Sequence, residues 1–236
     1  MKRAGSDLDR LGIPGNRLDN GEVTNFEGFD KYLAANRDAG MIACVSYTEG
    51  VPAYTQEKPQ WRTMPTRLDA FRTHMDKVFG HLKGYPNAQY LEFWNEPDIG
   101  FMVGTLEEYL DALKVVRASQ QANAPELKIT TGGVTVIHPK EKKDFSRDMY
   151  LKGKGLYDVA CFHAHGSLMN YVERQELLEQ WLDSGKIDLP VCNTETGDRS
   201  GYTVEIIRRH AETLVRKIVY AKSRNTEFYI WFTLQD

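Results

Sequence analysis

The sequence predicts an α/β protein built on a parallel sheet. Two observations carry that prediction. Short apolar runs alternate with longer amphipathic segments along almost the whole chain, and polar, chemistry-bearing residues recur at the ends of the apolar runs. A crossover helix between parallel strands covers one sheet face, so repeated alternation of this kind favours parallel pairing. At 236 residues the chain reads as one domain, 1–236, with a turn-rich, irregular stretch at 1–24.

The elements follow in order. Residues 25–39 place Phe29, Leu33 and Asn36 at helical spacing, and Ala39-Gly40 leads into the strand-like run Met41–Val45. A stronger helix covers 67–83, with Leu68, Phe71, Met75, Val78, Phe79 and Leu82 on one side and a capping box expected from Thr66 and Asp69. Gln89–Trp94 is the next strand. Thr105 and Glu108 form a second expected capping box, opening a helix with Leu110, Leu113, Val116 and Ala118 on its apolar side. Leu127–Thr131 is a strand ended by Gly132-Gly133, and a less regular crossover leads to the strand Tyr157–Phe162. A helix at 171–184, a short strand Leu189–Asn193, a helix at 203–223 and the strand Glu227–Phe232 complete the pattern. Ile207, Ala211, Leu214 and Ile218 are the expected buried face of that last helix. Periodicity leaves two arrangements open, a closed barrel and an open doubly wound sheet. The second lacks a Gly-rich phosphate loop after an early strand.

Composition excludes several classes. A formal net charge of −3 with 27% charged residues offers no basic surface for nucleic acid or anionic membrane. No apolar run approaches membrane-spanning length, so no membrane insertion is expected. The polar opening MKRAGSDLDRLGIPGN contains no signal-peptide core, which leaves localisation open. Cys44, Cys161 and Cys192 sit in separate apolar runs and read as buried free thiols, and no Cys/His spacing matches a closed zinc site.

Two carboxylates stand out. In Leu91-Glu92-Phe93-Trp94-Asn95-Glu96-Pro97-Asp98 an apolar strand gives way to Asn95 and Glu96, and Pro97 discourages further pairing. In Val191-Cys192-Asn193-Thr194-Glu195-Thr196-Gly197, Glu195 follows another apolar strand just before a turn. A strand end is a rigid place from which to aim a carboxyl group. His163 and His165, in Cys161-Phe162-His163-Ala164-His165-Gly166, alternate at the end of a third strand and can share one strand face.

At Asn95-Glu96-Pro97, preceded by Phe93 and Trp94, the sequence resembles the clan A glycoside hydrolases, which are retaining enzymes on a (β/α)8 TIM barrel. In that clan an Asn-Glu pair ends the fourth barrel strand and a second Glu ends the seventh. Counting the strand at 90 as the fourth makes the strand at 189 the seventh, and Glu227–Phe232 the eighth. The resemblance implies a retaining mechanism by double displacement, with Glu96 as general acid/base and Glu195 as nucleophile. It further implies that Asn95 binds a sugar hydroxyl, that His163 and His165 orient sugar or nucleophile, and that Trp231 forms an aromatic wall. His165 departs from the Tyr common at its position. Known relatives require no cofactor and no metal for this chemistry. Phe93–Leu110 looks most like the β-xylosidase branch, so the implied substrate is a β-linked plant-type oligo- or polysaccharide: a xyloside, arabinoside or glucoside.

Further rim candidates are Tyr47 and Trp61, with Tyr54 and His138 behind them, since aromatic rings stack on the apolar faces of sugars. Asp98 reads as a turn residue and Trp181 as core. The barrel is expected to be incomplete. Only forty residues precede the strand at 41, too few for two βα units of about thirty residues each. Leu11-Gly12-Ile13 reads as a remnant of the second strand, with Arg17 entering the site. The first strand and the final helix are missing from the pattern. A partial or interrupted barrel exposes strand edges, from which self-association is expected. The competing functional expectations are a non-catalytic carbohydrate-binding barrel and an inactive glycosidase fragment.

Overall fold

A computed structural model describes residues 6–13, 26–48, 50, 55, 61–136, 144–198 and 203–232. Strand β1 (Leu8–Gly12) is followed by helix α1 (Glu27–Asp38) and β2 (Ile42–Tyr47), then α2 (Leu68–Leu82) and β3 (Ala88–Asn95). Next come α3 (Leu106–Asn123), β4 (Lys128–Gly133), α4 (Phe145–Lys152), β5 (Ala160–His163) and α5 (Leu168–Ser184). The last elements are β6 (Val191–Thr196), α6 (Val204–Ser223) and β7 (Tyr229–Trp231).

Each strand pairs in parallel with its neighbour in sequence. β1 to β4 form one sheet in that order and β5 to β7 another. Parallel bridges Thr130–Val159 and Val134–Phe162 join the two, so the seven strands make one arc. A doubly wound sheet needs its strand order to reverse, and no reversal occurs among the described residues. The fold is an incomplete (β/α)8 barrel with seven strands and six helices described.

Alternation along the strands separates two cores. Ala43 and Val45 of β2, and Leu91 and Phe93 of β3, join the layer between sheet and helices. Cys44 and Tyr90 point the other way, into a smaller interior cluster with Val159, Cys161 and Cys192. All three cysteines are buried and free. Glu92 has the same parity as Tyr90 and stands one step higher inside the barrel.

Helices α1 to α3 bury most of the expected stripe, with Leu68 and Ala118 only half-buried. Phe29, Leu33 and Asn36 are buried on α1, and Phe71, Met75, Val78, Phe79 and Leu82 on α2. In α3 the Thr105 hydroxyl accepts from Glu108 N (3.1 Å) and the Glu108 carboxylate accepts from Thr105 N (2.8 Å), the expected capping box. The box expected at α2 does not form. The cap position is Arg67, without a side-chain cap bond, so Thr66 falls one residue too early and Asp69 one too early to be its partner.

The face expected for α6 also differs. Ile207 and Ala211 are exposed, Leu214 and Ile218 are half-buried, and the buried side chains are Lys217 and Ala221. The apolar stripe is present, but nothing described packs over its N-terminal half. Lys217 instead runs beneath the barrel rim and donates to Ala164 O (3.1 Å), Thr196 Oγ1 (2.9 Å) and Gly197 O (3.0 Å). Burial lowers its pKa to about 8. No helix among the described residues is long and apolar enough to cross a membrane.

Candidate active site

The C-terminal end of β3 leaves regular strand geometry where the chemistry begins. Trp94 has φ of 78° and Glu96 φ of 41°, the left-handed region that non-glycine residues avoid. Each such residue costs about 1–3 kcal/mol and persists only where its surroundings hold it. Trp94 is fully buried and its indole N–H donates to Phe101 O (2.8 Å), while Glu96 N donates to Gly133 O (3.1 Å). Asp98 pins the following turn. One carboxylate oxygen accepts from Thr135 N (2.9 Å), Thr135 Oγ1 (2.8 Å) and Ser146 Oγ (3.1 Å), tying the loop after β3 to that after β4.

Gly133 makes room for the next participant. A Cβ there would lie 2.0 Å from His163 Nε2, and one at Gly132 would lie 2.8 Å from the Phe93 carbonyl. The bare backbone lets the buried His163 ring reach across β4, with Nδ1 3.0 Å from Glu96 Oε1 and Nε2 2.9 Å from Thr194 Oγ1.

Glu195 approaches from β6. Its Oε1 lies 3.1 Å from His165 Nε2, and its Oε2 accepts from Arg10 Nη1 at 2.9 Å. Arg10, on β1, also donates from Nε to Glu92 Oε2 (2.5 Å) and from Nη2 to Asn95 Oδ1 (2.8 Å). Because arginine can only donate, the Asn95 oxygen must face it, which leaves the amide NH2 for the cavity. One guanidinium therefore orients three side chains from β3 and β6.

Electrostatics follow from these contacts. Burial alone would raise the Glu195 pKa, but the His165 hydrogen bond and the charges of His163 and Arg10 hold it below the usual carboxylate range. Burial likewise opposes ionisation of Glu92, and the Arg10 charge with the His163 and Thr194 hydrogen bonds overcomes it, lowering the pKa to about 2. For His163, burial favours the neutral ring, yet hydrogen bonds to Glu92 and Glu96 raise its pKa to about 10.

A cavity of about 630 Å³ opens here, lined among others by Arg10, Asn95, Trp61, Glu195 and Trp231. A groove of about 790 Å³ between the start of α5 and α6 contains none of the candidate residues. The structure thus brings together Glu96, Glu195, Asn95, His163 and His165, with Trp61 and Trp231 on the walls. Trp61 is exposed and tilts against Phe101 (centroids 6.2 Å apart). Trp231 is half-buried, with its ring 4.9 Å from that of His210 and under the Lys217 ammonium.

Tyr47 is a correction. It is buried in the outer core against Phe71, His74 and Phe93 and does not line the cavity. Even parity sends Cys44 inward on β2, and the odd position of Tyr47 sends it outward. Tyr54, His138 and Arg17 lie outside the described residues. The arginine that enters the site is Arg10, which sequence reasoning missed along with Glu92 and Thr194. Glu92 carried a signal, a charge inside an apolar strand run at the parity that faces the barrel interior, whereas the short, mixed run around Arg10 carried none.

Glu96, His165 and Glu195 offer atoms within 4.8 Å of one another. These side chains are already engaged with His163, Arg10 and each other, so we read them as a hydrogen-bonded group rather than a cation site.

No family model matches the sequence, and no curated protein matches it as a relative. Solved structures do share the fold. A glucosidase from Croceicoccus marinus superposes with a TM-score of 0.70 at 14% identity, over 94% of this chain and 51% of its own. A family 39 glycoside hydrolase from Bacteroides cellulosilyticus WH2 gives 0.67 at 18% identity, over 95% of this chain and 50% of its own. A GH30 endoxylanase from Clostridium papyrosolvens C71 gives 0.66 at 16% identity, over 97% of this chain and 58% of its own. The chain spans about half the length of these structures. At these identities the likeness is one of fold, the (β/α)8 barrel.

Proposed function

We propose that the chain carries the active site of a retaining glycoside hydrolase, with Glu96 as general acid/base and Glu195 as nucleophile. One observation carries the reading: oxygens of the two carboxylates lie within 4.8 Å of each other. Retaining glycosidases need carboxyl groups about 5–5.5 Å apart, whereas inverting ones need about 6.5–9.5 Å to admit a water. The environments also divide the labour. Glu195 faces Arg10 and His165, which hold it ionised for attack. Glu96 is buried against His163, with Oε1 3.0 Å from the ring Nδ1 through which a proton can pass between them.

In the first step a Glu195 oxygen attacks the anomeric carbon while Glu96 protonates the departing glycosidic oxygen, and the C–O bond breaks. In the second, Glu96 takes a proton from water, whose oxygen attacks the anomeric carbon and releases Glu195 as carboxylate. The Asn95 NH2 hydrogen-bonds a hydroxyl of the bound sugar, and Trp61 and Trp231 supply apolar walls. The substrate class is a β-linked xyloside, arabinoside or glucoside. The endoxylanase and glucosidase of like fold are in keeping with that class.

The test is intact-mass spectrometry after exposure to activated 2-fluoro glycosides, with Glu195→Gln as control. A single sugar adduct on the parent, absent from the variant, is expected, and the sugar that reacts names the subsite. An adduct retained by Glu195→Gln would remove Glu195 from its role. No adduct on a folded parent that still binds the glycoside would replace hydrolysis with carbohydrate binding.

A further inference from the structure

We propose that Glu92, a third carboxylate that touches no substrate, is a positioning residue which dictates where the protons of His163 sit and thereby arms Glu96. The inference rests on the reading of Glu96 as acid/base. It begins with hydrogen-bond bookkeeping in a fully buried cluster. Glu92 Oε1 lies 2.6 Å from Thr194 Oγ1, and Glu92 Oε2 receives Arg10 Nε at 2.5 Å. An ionised carboxylate can only accept, so the single Thr194 hydroxyl proton must point at Glu92. Thr194 Oγ1 is then an acceptor toward His163 Nε2, 2.9 Å away, and that nitrogen must carry a proton.

The remaining ring nitrogen, Nδ1, faces Glu96 Oε1 at 3.0 Å. Two arrangements satisfy this contact, and in both the His163–Glu96 pair shares one proton. On Nδ1 it makes an imidazolium beside a carboxylate. On Glu96 it makes the carboxylic acid that a departing oxygen requires. Were Nε2 bare instead, Nδ1–H would face Glu96 permanently, and Glu96 could never hand its proton to the ring or draw one from it. The Thr194 hydroxyl and His163 Nε2–H thus both donate toward Glu92, which leaves Nδ1 as the one ring position that shares a proton with Glu96.

All charged and titratable groups around the ring fit this polarity. From β3 come Glu92, with Oε1 3.5 Å from Nε2, and Glu96; from β6 comes Glu195, with Oε2 4.0 Å from Nδ1. Arg10 of β1 lies beyond Glu92, and Cys161 of β5 places its sulfur 3.0 Å from Thr194 Oγ1, where the thiol can donate. Arg174 of α5 donates to the His163 carbonyl rather than to the ring. None of them competes for the Nε2 proton as an acceptor except the cluster that Glu92 anchors.

The prediction for Glu92→Gln is an inverted chain. A glutamine would keep its oxygen toward Arg10 and turn its NH2 to Thr194. The Thr194 hydroxyl would then donate to Nε2 and leave the His163 proton on Nδ1. The measurement is 15N NMR of imidazole-labelled protein, which reads the protonation of each ring nitrogen without any turnover. In the parent, His163 Nε2 should stay protonated throughout pH 5–9, while Nδ1 reports the shared proton. In Glu92→Gln the proton should move to Nδ1. A parent with bare Nε2 overturns the proposal even if the variant fails to fold, and so does a folded variant with an unchanged ring.

Kinetics supply the second readout. Glu92→Gln should lose roughly 10²-fold in kcat/KM on a glycoside with a poor leaving group, the scale of general-acid assistance, and far less on an activated one. Equal losses on both would mean a merely structural Glu92. Absence of turnover in the parent, with the NMR result intact, would count against the hydrolase reading and leave the proton arrangement standing.

Discussion

Glu96 and Glu195 face each other across less than 4.8 Å, yet the ground beneath them differs. Glu96 rises from β3, flanked by β2 and β4 and backed by α2 and α3, and α3 alone buries seven side chains. Glu195 rises from β6, beside the three-residue β7 and under α6, which buries only Lys217 and Ala221. Glu96 has the buried His163 ring as its neighbour. Glu195 is held by the Arg10 guanidinium and by a hydrogen bond with His165. The proposed division of roles rests on this difference in neighbours, a buried ring against a guanidinium. The contrast yields measurements that should separate the two halves.

The largest effect is on turnover. Glu195→Gln should reduce kcat by roughly 10³-fold or more on every glycoside, because the proposed covalent bond forms on its carboxylate. Glu96→Gln should cost roughly 10²–10⁴-fold where the leaving group needs a proton, and much less in the first step where it does not. Steady-state rates on aryl glycosides of graded leaving-group pKa would distinguish them. The same leaving-group dependence in both variants would merge the two roles.

A smaller effect, on stability, tests the charge cluster that joins the halves. Glu92 has a folded-state pKa of about 2 against an ordinary 4.5. Between those values the unfolded chain binds the proton and the folded one does not, so stability falls with acid in that window. The contribution is complete above about pH 4.5 and lost as the pH drops toward about 2. At 1.36 kcal/mol per pH unit it amounts to about 3 kcal/mol. Glu195 acts in the same direction. Urea midpoints at pH 6 and pH 3 should show parent and Glu92→Gln converging in acid. A gap independent of pH would mean that Glu92 contributes packing rather than charge.

The same division governs what the sequence reveals. Strand–helix alternation located six of the seven strands, because each strand carries enough apolar residues to mark it. Where motif and strand end coincide, at Asn95, Glu96 and Glu195, the sequence pointed to side chains that the structure brings together. Arg10 was hidden because β1 is five residues long and mixes charge with only two leucines, so nothing in its periodicity marks a strand. Thr194 was hidden because its role lies in the direction of one hydroxyl proton, set by Glu92 across the barrel. Tyr47 was misread for a related reason: a strand end looks the same from either face until register fixes its parity. Gly133 carried a signal, since a glycine pair closing a strand marks a close approach, but only the third dimension names His163 as what approaches.

The smallest expected effect concerns α6, where an apolar stripe and an apolar core part company. Val204, Ile207, Val215 and Val219 recur at helical spacing, yet all are exposed, Ile207 at 57%. Periodicity shows that a face is apolar and cannot show what covers it. A side chain already in water loses little by truncation, so Ile207→Ala should change stability by no more than about 0.5 kcal/mol. Leu113→Ala, which empties a fully buried site on α3, should cost about 2–5 kcal/mol. Chemical denaturation of the two variants in this chain is the direct comparison. A cost at Ile207 rising toward that at Leu113 would mean that the stripe is covered in solution, and a dependence of that cost on protein concentration would identify a second copy as the cover.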